Sequence, residues 1–118
     1  MRYADLLVWQ KAMDLVVEIY RLCKLLPADE RYGLVSQIQR AAVSVPSNIA
    51  EGQARKSNGA FQNHLSIAAG SLAELETQLI LTHRLGFCLE ATCQDLLSKT
   101  DEIGRMLTGL KASLTTNN

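Results

Sequence analysis

Residues 44–52 read S-V-P-S-N-I-A-E-G, a proline, an asparagine and a glycine inside a pattern that is otherwise helical. Leu34, Ile38, Ala41, Val45, Ile49 and Gly52 recur at steps of three and four, which places them in one stripe of a helix. Pro46 withholds the hydrogen bond its N–H would give to the carbonyl of Ala42, and its ring crowds that carbonyl. In a helix interior this costs about 3 kcal/mol. The chain therefore either kinks or breaks and restarts, with the Ser44 hydroxyl as a cap. A break would shift the phase of the stripe. The phase holds from Leu34 through Ile49, so the stretch predicts one helix kinked at Pro46.

The opposite face of this helix is polar. Arg40, Ser44, Ser47, Asn48, Glu51 and Arg55 are linked by the same steps, and Glu51 can pair with Arg55 at i, i+4 for a few tenths of a kcal/mol. Two readings of this ridge stay open: an ordinary solvated face, or a shaped polar surface turned to a partner or to a subunit interface.

Three further helices flank the stretch. Before it, Leu6, Trp9, Met13, Val16, Tyr20 and Cys23 form a stripe that Pro27 ends, and the acidic Asp29 and Glu30 favour the start of the second helix. After it, Ser57 is a suitable N-cap for a helix carrying Phe61, Leu65, Ala68, Leu72, Leu75, Leu79 and Thr82, which Gly86 ends. Leu96, Thr100, Ile103, Leu107, Leu110 and Leu114 make the last stripe, before a polar tail. The expected helices are about 4–25, 29–55, 57–86 and 90–114 in a single domain spanning 1–118. Four amphipathic helices with short connections predict an all-α, up-down-up-down four-helix bundle. Its core must be aliphatic, since 47% of the residues are hydrophobic and only 5% aromatic.

Apolar residues also lie off these stripes: Leu7, Leu15 and Val17 on the first helix, Ile67, Ile80 and Leu81 on the third. The third helix carries A-A-G-S at 68–71, where small side chains admit a second helix. A generous core and a subunit interface both account for this girdle. Ser71, Glu74 and Gln78 share a face of that helix, suited either to solvent or to hydrogen bonds with the Asn48 region or another subunit.

The residues carry no catalytic constellation. His64 and His83 are about five turns apart on one helix, each read as a surface or boundary residue. Glu74 and Glu76 lack the histidine three residues on that a di-iron bundle needs. Cys23, Cys88 and Cys93 are odd in number and fit no metal spacing, which reads as small buried hydrophobes in a reducing compartment. No catalytic residue, metal or cofactor is expected. Asp5 and Lys11 interrupt the N-terminal apolar residues and no apolar run approaches a membrane span, so a cytoplasmic protein without a membrane partner is expected. The 12 basic and 12 acidic residues cancel, unlike the basic excess of most nucleic-acid binders. Locally the balance differs: between Arg31 and Lys56 the charges are Arg31, Arg40, Arg55 and Lys56 against Glu51 alone. These four cations are the candidate contacts for RNA or DNA, or for a protein partner.

V-W-Q-K-A at 8–12, E-R-Y-G-L at 30–34, Q-I-Q-R-A-A-V-S-V-P-S-N-I-A-E-G at 37–52, R-K-S at 55–57 and G-S-L-A-E-L-E-T-Q at 70–78 occur in order. Together they resemble the four-helix-bundle family of open reading frames in intervening sequences of bacterial large-subunit ribosomal RNA genes. That family includes the accessory variability determinant of diversity-generating retroelements. The resemblance runs from about Leu7 to Leu110. It implies the same bundle assembled as a ring-shaped homopentamer, no enzymatic activity and, for the retroelement members, binding to nucleic acid and a reverse transcriptase through a basic surface. The chain departs from the family pattern at Gln39, usually basic; at Ala60, usually acidic; and at His64, often aromatic. The change at Gln39 removes one candidate phosphate contact. Two expectations follow: a non-enzymatic oligomeric adaptor associated with nucleic acid, or a protein-interaction scaffold without that role.

Overall fold

The computed structural model describes residues 2–115. Four helices carry the fold: α1 (Leu7–Cys23), α2 (Leu34–Ala54), α3 (Asn58–Arg84) and α4 (Glu90–Thr115). Short 3-10 turns at Tyr3–Asp5 and Ala28–Glu30 precede α1 and α2. No strand occurs among the described residues. Each helix packs on the next in sequence, with the most extensive contact between α2 and α3, and α1 closes against α4. The result is a four-helix bundle 48 Å long.

The stripes expected for α2, α3 and α4 form most of the core, with Phe61 of the expected α3 stripe only flanking it. Leu34, Ile38, Ala41, Val45, Ile49 and Gly52 are buried in α2; Leu65, Ala68, Leu72, Leu75, Leu79 and Thr82 in α3. Cys93, Leu96, Thr100, Ile103 and Leu107 are buried in α4, with Leu110 and Leu114 packed at its edge. α1 departs from expectation. Its inward row is Val8, Ala12, Leu15, Ile19 and Leu22, with Cys23 beside it. Met13 and Tyr20 are exposed, and Leu6, Trp9 and Val16 only flank the core. Both rows satisfy the three-and-four spacing, so periodicity alone cannot choose between them. Packing against both α2 and α4 buries the Leu15 row, and along its border Lys11 pairs with Glu102 at 2.7 Å and Lys99 with Glu18. Such exposed pairs are worth at most about 1 kcal/mol each, so they border the buried Leu15 row and do not select it.

The ends of the helices follow from local chemistry. Glu30 does not begin α2; its carboxylate accepts from the Leu34 N–H at 3.4 Å, across a turn that closes at Gly33. The acidic residues thus sit at the helix N-terminus, as its dipole favours, but one turn outside it. Ser57 caps α3 by accepting from the Ala60 N–H at 3.2 Å. α3 ends on Gly86 at φ +80, with the Phe87 N–H bonded to the Thr82 carbonyl at 3.1 Å and the Gly86 N–H to that of His83 at 2.9 Å. A residue without a β-carbon enters that left-handed turn at least cost. α2 ends differently, on Lys56 at φ 60.

α2 runs unbroken from Leu34 to Ala54 with Pro46 inside it and buried. The chain therefore does not restart at Ser44.

Candidate interaction surface

The polar ridge of α2 divides into two parts. Ser44 and Asn48 are half-buried and turn into the seam with α3. The Ser44 hydroxyl shares a 2.8 Å hydrogen bond with that of Ser71. The Asn48 amide nitrogen donates to the Ser44 carbonyl at 2.9 Å and to its hydroxyl at 3.0 Å. With that nitrogen so engaged, the Asn48 oxygen accepts from His64 Nδ1 at 3.0 Å. His64, expected at the surface or boundary, is only 9% exposed. The reason is Gly52, one turn beyond Asn48. A β-carbon there would lie 2.5 Å from His64 Cβ, so the missing side chain is what lets α3 approach. The asparagine and glycine of the 44–52 stretch are thus two halves of one device: Gly52 makes room for His64, and Asn48 satisfies it.

The outer part of the ridge faces solvent. Ser47 donates back to the Val43 carbonyl at 2.8 Å, and Glu51 is held by Arg55 at 3.0 Å. Arg40 is exposed, one turn before Ser44. Arg31 lies before the helix, its guanidinium 5.8 Å from the centre of the Tyr32 ring. Lys56 follows the helix end. At 1.5 Å per residue Arg40 and Arg55 are about 22 Å apart, so the four cations form a row along α2 and not a cluster.

On α3, Gln78 donates to the Glu74 carboxylate at 3.0 Å. Gln78 is 7% exposed, and its carbonyl oxygen has no partner among the described residues. Glu74 itself is exposed. Ser71 thus reaches the Asn48 region through Ser44, whereas Glu74 and Gln78 bond to each other.

Sequence periodicity gives no sign of the charged seam between α1 and α4. Lys11, Asp14, Glu18, Lys99 and Glu102 line a shallow depression there. Glu18, with Asp95 beyond it, holds the Lys99 ammonium above the ordinary lysine range. Partners for these side chains lie about 80–90 residues away, beyond any local spacing rule. Thr100 is another case, donating from the α4 core to the Glu76 carboxylate at 2.8 Å.

Burial pushes all three cysteine thiols up from the ordinary value. His83 donates to the Cys88 carbonyl at 3.1 Å, not to its sulfur. Among the described residues no three His, Cys, Asp or Glu side chains are grouped to hold a metal, and no helix is long and apolar enough to cross a membrane.

Residues 4–109 match the family described as 23S rRNA-intervening sequence protein. The chain belongs to that family. A crystal structure of a protein of unknown function from the S23 ribosomal protein family of Bacteroides thetaiotaomicron VPI-5482 is similar, at 27% identity and a TM-score of 0.82. The match covers 89% of this chain and 98% of that one. No curated protein matches the chain. Membership of the 23S rRNA-intervening sequence protein family gives the architecture and indicates no catalytic class; the solved relative is itself of unknown function.

Proposed function

We propose that this protein is a non-enzymatic adaptor that works as a ring-shaped homo-oligomer, a pentamer by family resemblance, and contacts nucleic acid through the cations of α2. One observation carries the reading. With the core complete, large apolar side chains remain exposed on two helices: Met13, Val17 and Tyr20 in a row on α1, and Ile67, Ile80 and Leu81 on α3. A row of exposed large apolar side chains such as that on α1 marks a contact. A repeating assembly also multiplies the α2 row. Arg31, Arg40, Arg55 and Lys56 are too dispersed to hold a phosphate backbone strongly from one chain, but several copies act together through avidity. Counterion release makes such binding fall with salt.

Anisotropy of a labelled structured RNA, and of duplex DNA, titrated at two salt concentrations tests the contact. Binding is expected to weaken as salt rises, and Arg40→Glu with Arg55→Glu to lower the affinity by at least about tenfold with the fold intact. Unchanged affinity in the double variant rejects the assignment. A second reading, a protein-interaction scaffold, draws on the zero net charge and on Glu51 already neutralising Arg55. Absence of binding at low salt favours it.

In this reading Pro46 kinks α2 and gives the ridge from Arg40 to Arg55 its curvature. Pro46→Ala restores a helical hydrogen bond but removes buried ring carbons, for a net gain of about 1–2 kcal/mol in the isolated chain. Light scattering of the same variant is expected to show a smaller particle than wild type. An unchanged particle mass separates the bend from assembly, and a wild-type chain that is monomeric overturns the ring.

A further inference from the structure

The entry to α4 carries two cysteines in the positions where a helix usually places a touching apolar pair. The Cys93 N–H bonds to the Leu89 carbonyl at 3.0 Å, which makes Leu89 the residue that caps the helix. Cys88 stands just before that cap and Cys93 is the fourth residue of the helix. Side chains at these two positions often pack on each other across the first turn. Cys93 is 2% exposed, its sulfur directed at the Leu79 carbonyl at 3.6 Å. Cys88 is half-buried and reachable from solvent, and its sulfur bonds to the Leu89 carbonyl at 3.3 Å. Burial raises the Cys88 thiol most, and the charge of Cys93 adds to that. The backbone that presents Cys88 is itself fixed, by His83 on its carbonyl and by the Phe87 bond that ends α3.

We propose that Cys88 and Cys93 are a modification site, a dithiol that hydrogen peroxide converts to an intrachain disulfide across the turn from α3 to α4. The Cys88 thiolate attacks one peroxide oxygen and the O–O bond breaks. Cys88 becomes a sulfenic acid, and the departing hydroxide leaves as water with the thiol proton. The Cys93 sulfur then attacks the Cys88 sulfur. The S–O bond breaks, the S–S bond forms, and the second oxygen leaves as water with the Cys93 proton. Two thiols lose two electrons to one peroxide, and a dithiol reductant reverses the change. The thiolate is the reactive form, so the rate rises about tenfold per pH unit below the raised thiol pKa values. Cys23, buried in the α1 row, takes no part.

The inference is independent of the adaptor reading and is tested on the full chain. The folded protein is treated with peroxide, unfolded, alkylated and cut after glutamate. Cleavage at Glu90 separates the two cysteines, so the flanking peptides stay joined only through a disulfide. The expected result is that joined pair, lighter by two hydrogens, with Cys23 alkylated, and with release by dithiothreitol. Cys88→Ser and Cys93→Ser should each abolish it, and Cys23→Ser should not. Sulfinic acid on Cys88 beside an alkylated Cys93, a Cys88 link between two chains, or no oxidation at all overturns the proposal.

Discussion

Gly52→Ala is expected to destabilise the protein by about 1–2 kcal/mol, against the usual gain of about 0.5–1 kcal/mol from replacing a helical glycine. The added β-carbon would lie 2.5 Å from His64 Cβ, 3.2 Å from Phe61 Cδ1 and 3.3 Å from His64 Cγ. His64 Cβ is fixed to the backbone of α3, so no side-chain rotation relieves the contact and the helices must separate. Separation stretches the Asn48–His64 bond and loosens the largest helix contact in the bundle. Gly52→Val adds two more carbons and a restricted χ1, for a loss of about 3 kcal/mol or more. Urea midpoints at constant slope measure both. Gly104 supplies the contrast, since a β-carbon there would meet only Leu72 Cδ2, at 3.5 Å. Gly104→Ala should therefore leave stability unchanged or raise it by up to about 1 kcal/mol. A Gly52→Ala midpoint at or above wild type would mean that close approach of α2 and α3 is not what this glycine provides.

The same residues show how far the sequence could be read. On α2, α3 and α4 the main apolar stripe is the one that forms most of the core, although Val43 on α2 and Ile67, Ile80 and Leu81 on α3 lie off it and stay exposed. On α1 the apolar residues wrap further around. Leu15, Ile19 and Leu22 compete with Met13, Val16 and Tyr20, and the choice rests on how α1 packs on α2 and α4, with the Lys11–Glu102 and Lys99–Glu18 pairs along the border. Local spacing holds no trace of a partner 80 or more residues away. The start of α2 was displaced for a nearer reason. Acidic residues favour a helix N-terminus from just outside it as well as from its first turn, and Glu30 takes the outside place.

The candidate surface was legible in composition but not in orientation. Periodicity places Arg40, Ser44, Ser47, Asn48, Glu51 and Arg55 on one broad face. It does not say where that face meets α3. The boundary runs through the middle of it: Ser44 and Asn48 are bonded inside, while Arg40, Ser47, Glu51 and Arg55 remain in solvent. A sequence signal for the boundary did exist. An asparagine and a glycine four residues apart on a core-facing edge are poor helix formers, and such a pair is retained where another element comes close and needs a polar partner.

Asn48→Ala should cost about 2–3 kcal/mol, more than any single bond it removes. Deleting one ordinary hydrogen bond costs about 1 kcal/mol, but leaving a buried donor unpaired adds about 1–3 kcal/mol. Here His64 Nδ1 is the donor left behind, in a site that Gly52 has closed around it. The Ser44 hydroxyl also loses a donor, though it keeps Ser71 at 2.8 Å. The asymmetry yields a sharper test than the single variant. If the cost comes from stranding His64, then His64→Leu, which removes the donor and keeps an apolar side chain in the space, should recover much of it in the Asn48→Ala background. The double-variant cycle should then give a coupling of about 1–2 kcal/mol. Additive losses would mean that Asn48 acts through the α2 backbone, by its bond to the Ser44 carbonyl, and that its contact with His64 carries little. In the first case the S-V-P-S-N-I-A-E-G stretch is maintained by what it meets on α3; in the second, by what it does to its own helix beside Pro46.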